Sequence, residues 1–120
     1  MCDQKRVLVV DDDWMVRELL HDALSVQGYT VHEAKDGVDA LEQVQENIFD
    51  GILLDLQMPK MDGWEFLESY VRLGGKHARV VVCSALVGCE SIIDQEPVAG
   101  YLPKPFARAE LYQCVKRCIG

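Results

Sequence analysis

The 120-residue chain has no long apolar run. Its longest, Val7 to Val10 and Arg79 to Cys83, fall far short of the ~20 residues a membrane-spanning helix requires. No charged-then-apolar segment opens the chain in the manner of a secretory signal. The expectation is a soluble, cytoplasmic protein without membrane contact. Basic charge is scarce: 12 Lys and Arg stand against 20 Asp and Glu, for a net charge of -8. That balance argues against direct nucleic-acid binding, which depends on Lys and Arg displacing counterions from phosphates. A C-x-x-C spacing is missing, and the five cysteines (Cys2, Cys83, Cys89, Cys114, Cys118) are odd in number. Cys114 and Cys118, four apart, would share a helix face where a metal could bind. Buried thiols in a reducing compartment account for them more simply.

What the chain does have is apolar residues, 49% of the total, enough to build a core at the length of one compact domain spanning residues 1–120. Short β-rich runs alternate with helical periodicity, the pattern of a parallel sheet covered by helices. Strands are expected at Arg6 to Val10, Thr30 to Glu33, Gly51 to Leu54, Arg79 to Cys83 and Gly100 to Leu102. The first helix follows Asp13, a candidate N-cap, and stops before Gly28, with Val16, Leu19, Leu20, Ala23 and Leu24 facing inward. A second helix, Val38 to Glu46, buries Leu41 and Val44. A third, Trp64 to Leu73, turns Trp64, Leu67, Tyr70 and Val71 to the core. A weak helix at Val87 to Glu96 carries Gly88 and is closed by Pro97. The last runs from Ala107 to Cys118 and buries Leu111 and Val115. Five β/α units make a doubly wound α/β sandwich.

In such sheets ligands bind beyond the carboxyl ends of the strands. Strand one ends on Asp11-Asp12-Asp13, strand three on Asp55, strand four on Ser84 and strand five on Lys104. Asp13 is explained as a helix cap and Asp62 as support for the turn at Gly63. Asp11, Asp12 and Asp55 gathered at one edge would repel each other unless a cation sat among them, and oxygen ligands suit Mg²⁺. His21, His32 and His77 lie away from the strand ends, so no Ser-His-acid arrangement forms. A carboxylate beside Mg²⁺ can instead attack a phosphoryl group, with the metal and a lysine neutralising its oxygens. Asp55, at the end of the central apolar strand, is the best-placed nucleophile, and Ser84 could hydrogen-bond the attached phosphoryl group.

Val9-Val10-Asp11-Asp12, Leu53-Leu54-Asp55 through Met58-Pro59, Met61-Asp62-Gly63, Cys83-Ser84-Ala85 and Tyr101-Leu102-Pro103-Lys104-Pro105-Phe106 occur in one order along the chain. From end to end the sequence resembles a response-regulator receiver domain of two-component signalling, the CheY-like family. The resemblance implies a flavodoxin-like (βα)5 fold with sheet order 2-1-3-4-5. It implies Mg²⁺ bound by Asp12, Asp55 and the backbone carbonyl of Gln57, with Asp11 acting mostly through water. It further implies Lys104 paired with the phosphate, Ser84 as switch hydroxyl, Tyr101 as switch aromatic, and a cis Lys104-Pro105 peptide. The donor would be a histidine kinase or phosphotransfer protein. The output would pass through the face of the fourth helix, fifth strand and fifth helix to a downstream protein, an output domain or a phosphorylation-dependent dimer. The chain would be a switch, catalysing only its own phosphorylation and dephosphorylation.

The stretch between Ser84 and Lys104 is shorter than the family pattern, so a short or irregular fourth helix is expected. Two other readings stand beside the receiver. A Mg-dependent phosphohydrolase of the haloacid dehalogenase type also uses a strand-end Asp and a Lys, but needs a second Asp two residues on. That position is Gln57 after Asp55 and Asp13 after Asp11. A non-phosphorylated pseudo-receiver acting as a binding module would be missing part of the acidic, hydroxyl and lysine set, and none is missing here. Gly74-Gly75-Lys76 fails as a phosphate loop because Tyr70 replaces the required earlier glycine.

Overall fold

A computed structural model describes residues 4–74, 77–85 and 97–120. The elements run β1 (Arg6–Val10), α1 (Trp14–Val26), β2 (Thr30–Ala34), α2 (Gly37–Glu46), β3 (Gly51–Leu54), α3 (Gly63–Arg72), β4 (Arg79–Ser84), β5 (Val98–Pro103) and α4 (Arg108–Cys118). The five strands form one parallel sheet in the order β2-β1-β3-β4-β5. This is the flavodoxin-like doubly wound arrangement, with four helices among the described residues. The helix expected at 87–96 lies outside them, as do Cys2 and Cys89.

The central strands are apolar on both faces because both faces are covered. Leu8, Val10, Ile52, Leu54, Val80 and Val82 pack on one side with Phe66, Leu67 and Tyr70 of α3. Val7, Val9, Leu53, Val81 and Cys83 pack on the other with Leu20, Ala23 and Leu24 of α1 and with Leu111, Cys114, Val115 and Cys118 of α4. The register is regular except between β4 and β5, where Val80 pairs with Val98 but Val81 pairs with Gly100, so that β5 carries one extra residue.

The starts of α1, α2 and α3 follow side-chain caps. Asp13 accepts from the Met15 amide, as expected of an N-cap. Asp36, two residues past β2, is the buried N-cap of α2 and accepts from the Asp39 amide. Asp62 forms a capping box with Glu65 at the start of α3; a cap of this kind contributes about 1 kcal/mol. Three inward assignments are corrected. Leu19 is 52% exposed, Val71 45% and Trp64 39%. On α3 the buried stripe is Phe66, Leu67 and Tyr70, so Trp64 and Val71 fall on its flanks. On α1, Leu20, Ala23 and Leu24 carry the contact with the sheet and leave Leu19 outside it.

Candidate functional site

The carboxyl ends of β1, β3, β4 and β5 bring the residues singled out from the sequence to one edge. Asp11 follows β1 and is buried, 3% exposed. Its amide donates to the Ala34 carbonyl at 3.2 Å. Its Oδ1 accepts from the Asp13 amide at 3.0 Å and its Oδ2 from Lys104 Nζ at 2.7 Å. Asp55 follows β3 and is 7% exposed. Its amide donates to the Val10 carbonyl at 3.0 Å, and its Oδ1 accepts from the Gln57 amide at 3.2 Å. Lys104 Nζ lies 3.7 Å from Asp55 Oδ2, so one ammonium serves two carboxylates. Asp12 stays exposed. Trp14, two residues further on, is 62% exposed at the first turn of α1.

Asp11, Asp12 and Asp55 each offer one carboxylate oxygen, and the three lie within 4.8 Å of one another. Three hard oxygen donors of like charge at that spacing fit a divalent cation such as Mg²⁺, which takes oxygen ligands and keeps several waters. Among the described residues no other His, Cys, Asp and Glu group has this character. Cys114 and Cys118 do share a buried helix face, but their surroundings are apolar, and burial first, then Cys118, pushes the Cys114 thiol up to about 11. Cys83 is fully buried and its thiol is pushed far up, chiefly by burial, which agrees with the packing role expected for it.

The remaining members of the set adjoin this cluster. Ser84 ends β4 with no exposed surface, and its carbonyl accepts from the Lys104 amide at 2.9 Å. The Tyr101 hydroxyl donates to the same carbonyl at 3.5 Å from a half-buried position. The Lys104-Pro105 peptide is cis, as expected. The loop after Asp55 is held from beneath by two glycines. Gly63 donates to the Leu56 carbonyl at 3.1 Å, and a Cβ there would sit 2.5 Å from the Asp55 carbonyl oxygen. Gly37 donates to the Met61 carbonyl, and a Cβ there would sit 2.6 Å from that oxygen. Lys60 of the same loop reaches to 3.9 Å from the buried Asp36 carboxylate.

Sequence reasoning passed over Arg17 and Glu33. Arg17 donates to the Asp11 carbonyl at 2.7 Å and pairs with Glu33 at 3.3 Å. A cation near the first turn of a helix opposes the helix dipole, and that misplaced charge was the available signal.

Asp55 has its pKa raised, by burial first. Lys104 pulls it down, Asp11 pushes it up, the Gln57 amide pulls it down and Asp12 pushes it up. For Lys104, burial lowers the pKa most, but the hydrogen bond and charge of Asp11 and the charge of Asp55 together outweigh it and leave the pKa raised. The folded state thus holds the Asp55 proton more tightly than the unfolded chain does. The stability contributed by this group is full below the unfolded pKa and is lost as pH rises through the folded one. In metal-free buffer, Asp55→Asn is expected to raise the Tm at neutral pH, with the gain shrinking as pH falls toward the ordinary carboxylate pKa. Thermal melts of both proteins across that range check this; a gain that does not vary with pH would refute it.

A family model described as "Response regulator receiver domain" matches residues 7–116. The response regulator MprA of Mycobacterium ulcerans is 44% identical over 113 residues, covering 88% of this chain and 46% of that protein. MprA of Mycobacterium leprae is 43% identical over 121 residues, covering 95% of this chain and 50% of the relative. The chain thus spans about half the length of these curated relatives. Among solved structures, chemotaxis protein CheY4 of Vibrio cholerae superposes with a TM-score of 0.86 at 29% identity, covering 97% of this chain and 99% of that one. TrrA of Thermotoga maritima, a response regulator protein solved in complex with Mg(2+)-BeF, gives 0.84 at 32% identity and covers 95% and 98%. The receiver domain of a sensor histidine kinase from Pseudomonas aeruginosa, with a magnesium ion coordinated in the active site cleft, gives 0.85 at 28% identity and covers 98% and 99%. A matched family model over nearly the whole chain, on a sheet that ends in three clustered aspartates and a lysine, makes this chain a member of the response regulator receiver domain family.

Proposed function

We propose that Asp55 accepts a phosphoryl group from the phosphohistidine of a kinase or phosphotransfer protein, in a Mg²⁺-dependent reaction. The observation that carries this reading is the placing of Lys104 Nζ 2.7 Å from Asp11 and 3.7 Å from Asp55, beside three clustered carboxylates. Asp12, Asp55 and the Gln57 carbonyl would hold the Mg²⁺, with Asp11 acting mostly through water. The bound ion supplies positive charge against the phosphoryl oxygens.

An ionised Asp55 oxygen attacks phosphorus and forms a carboxyl–phosphate bond. The phosphorus–nitrogen bond of the donor breaks, and its electron pair stays on the imidazole. Lys104 needs only a short movement from Asp11 to meet the transferred oxygens, a charge-assisted contact. Water later cleaves the acyl phosphate and restores the carboxylate. Ser84 and Tyr101 would register the new group by moving together, a population shift between two loop arrangements that differ by a few kcal/mol. The rearranged face would engage a downstream protein, an output domain or a second copy.

The haloacid dehalogenase alternative is not favoured, because both oxygens of Asp11, the residue with an Asp two positions on, are already engaged by Lys104 and the Asp13 amide. Incubation with Mg²⁺ and acetyl phosphate is expected to add one phosphoryl mass per chain in intact-mass spectra. Chelating the Mg²⁺ is expected to prevent it. Sustained turnover of phosphate esters with no adduct would support the hydrolase.

A further inference from the structure

Asp11 is held at four points, and one of them has no part in the chemistry described above. The Arg17 guanidinium reaches back across the start of α1 and donates through Nη1 to the Asp11 carbonyl at 2.7 Å. Its Nε lies 3.3 Å from Glu33 Oε1, and the other Glu33 oxygen meets His21 Nδ1 at 2.7 Å. The Arg17 side chain is 18% exposed, so the contact is sheltered from solvent.

The Asp11 carbonyl and the Asp12 amide belong to one rigid peptide plane. Fixing that oxygen, with the Asp11 amide tied to Ala34 on the other side, fixes where the exposed Asp12 side chain departs from the backbone. Glu33 orients the guanidinium and balances its charge. The placement opposes the α1 dipole and is therefore not accounted for by helix stability.

We infer that Arg17, oriented by Glu33, is a positioning residue that sets the Asp11-Asp12 peptide for divalent-cation binding. The inference rests on the receiver reading above and adds to it a determinant of metal affinity outside the carboxylate set. Groups that orient metal ligands without touching the metal typically govern about 10- to 100-fold in affinity.

The test is Mg²⁺ titration of the folded chain, followed by calorimetry and by amide NMR shifts of residues 11–13. Arg17→Ala is expected to weaken Mg²⁺ binding about tenfold. Its phosphorylation rate from acetyl phosphate should return to near the parent value once Mg²⁺ is saturating. Arg17→Lys should recover part of the affinity, and Glu33→Gln should lose several-fold. Arg17→Ala with a lowered Tm but an unchanged Mg²⁺ dissociation constant would overturn the inference and leave Arg17 a purely structural link. If Arg17→Ala does not fold, unchanged affinity in Arg17→Lys and Glu33→Gln overturns it equally. Asp12→Asn separates the two levels: loss of Mg²⁺ binding there, with none in the Arg17 variants, defeats this inference alone. A parent chain that binds no Mg²⁺ defeats the receiver reading with it.

Discussion

Asp55→Asn is expected to form no phosphoryl adduct, a loss of at least about a thousandfold in the rate of labelling. Asparagine keeps the shape of the side chain and can still accept from the Gln57 amide, so the fold should survive. It offers no anionic oxygen to attack phosphorus. Its neighbours are poor substitutes. Asp11 is committed through both oxygens, to Lys104 at 2.7 Å and to the Asp13 amide at 3.0 Å. Asp12 is exposed rather than set at the end of the central strand. Intact-mass spectra after acetyl phosphate treatment, with circular dichroism to verify folding, check the outcome. A full adduct on the variant would move the acceptor to another residue and end the assignment of Asp55.

Gly63→Ala should destabilise the protein by about 2–3 kcal/mol, as overpacking against fixed backbone does. Helix propensity alone gives the opposite sign, since alanine is favoured over glycine by about 1 kcal/mol in a helix interior. Geometry decides. The added Cβ would lie 2.5 Å from the Asp55 carbonyl oxygen and 2.7 Å from Leu56 Cα, and both are backbone atoms that cannot rotate away. The Asp55-Leu56 backbone would have to shift, so Mg²⁺-dependent labelling should fall along with stability. Urea unfolding together with adduct formation rates gives both readouts. A variant as stable as the parent would mean that the loop yields at little cost.

The contrast with Gly63 shows where sequence reading succeeds. Strands β1 and β3 were legible to the residue, because a strand buried on both faces is nearly continuous in Val, Ile and Leu. The acidic cluster was legible because parallel strands all end at one edge, so the residue after each strand is also a neighbour in space. Strand β5 was read too short, since Val98 stands between Pro97 and Ala99, and Pro103 carries little strand signal, while Val98 and Pro103 are fixed by pairing with Val80 and Ser84 of β4. Periodicity on α1 and α3 located apolar stripes but not their centres. Leu19, Trp64 and Val71 satisfied the spacing and still lie exposed, while fully buried Phe66 was passed over. The Arg17–Glu33 pair joins a helix to a strand 16 positions on, and no local pattern encodes such a contact.

The extra residue in β5 acts as a parity switch. In a strand, neighbouring side chains leave by opposite faces, so one inserted residue exchanges the faces of everything after it. Val98 packs with α3's side of the sheet, and strict alternation from it would send Tyr101 toward α1 and α4. With the insertion, Tyr101 instead packs on the α3 side with Val82, its partner across the strands, while Leu102 joins the α1 and α4 side. The irregularity at Ala99 thus decides which half of the molecule the aromatic ring belongs to. A chain with the same residue types but a regular β5 would point Tyr101 into the α1 and α4 layer and carry the reversed parity on toward Lys104.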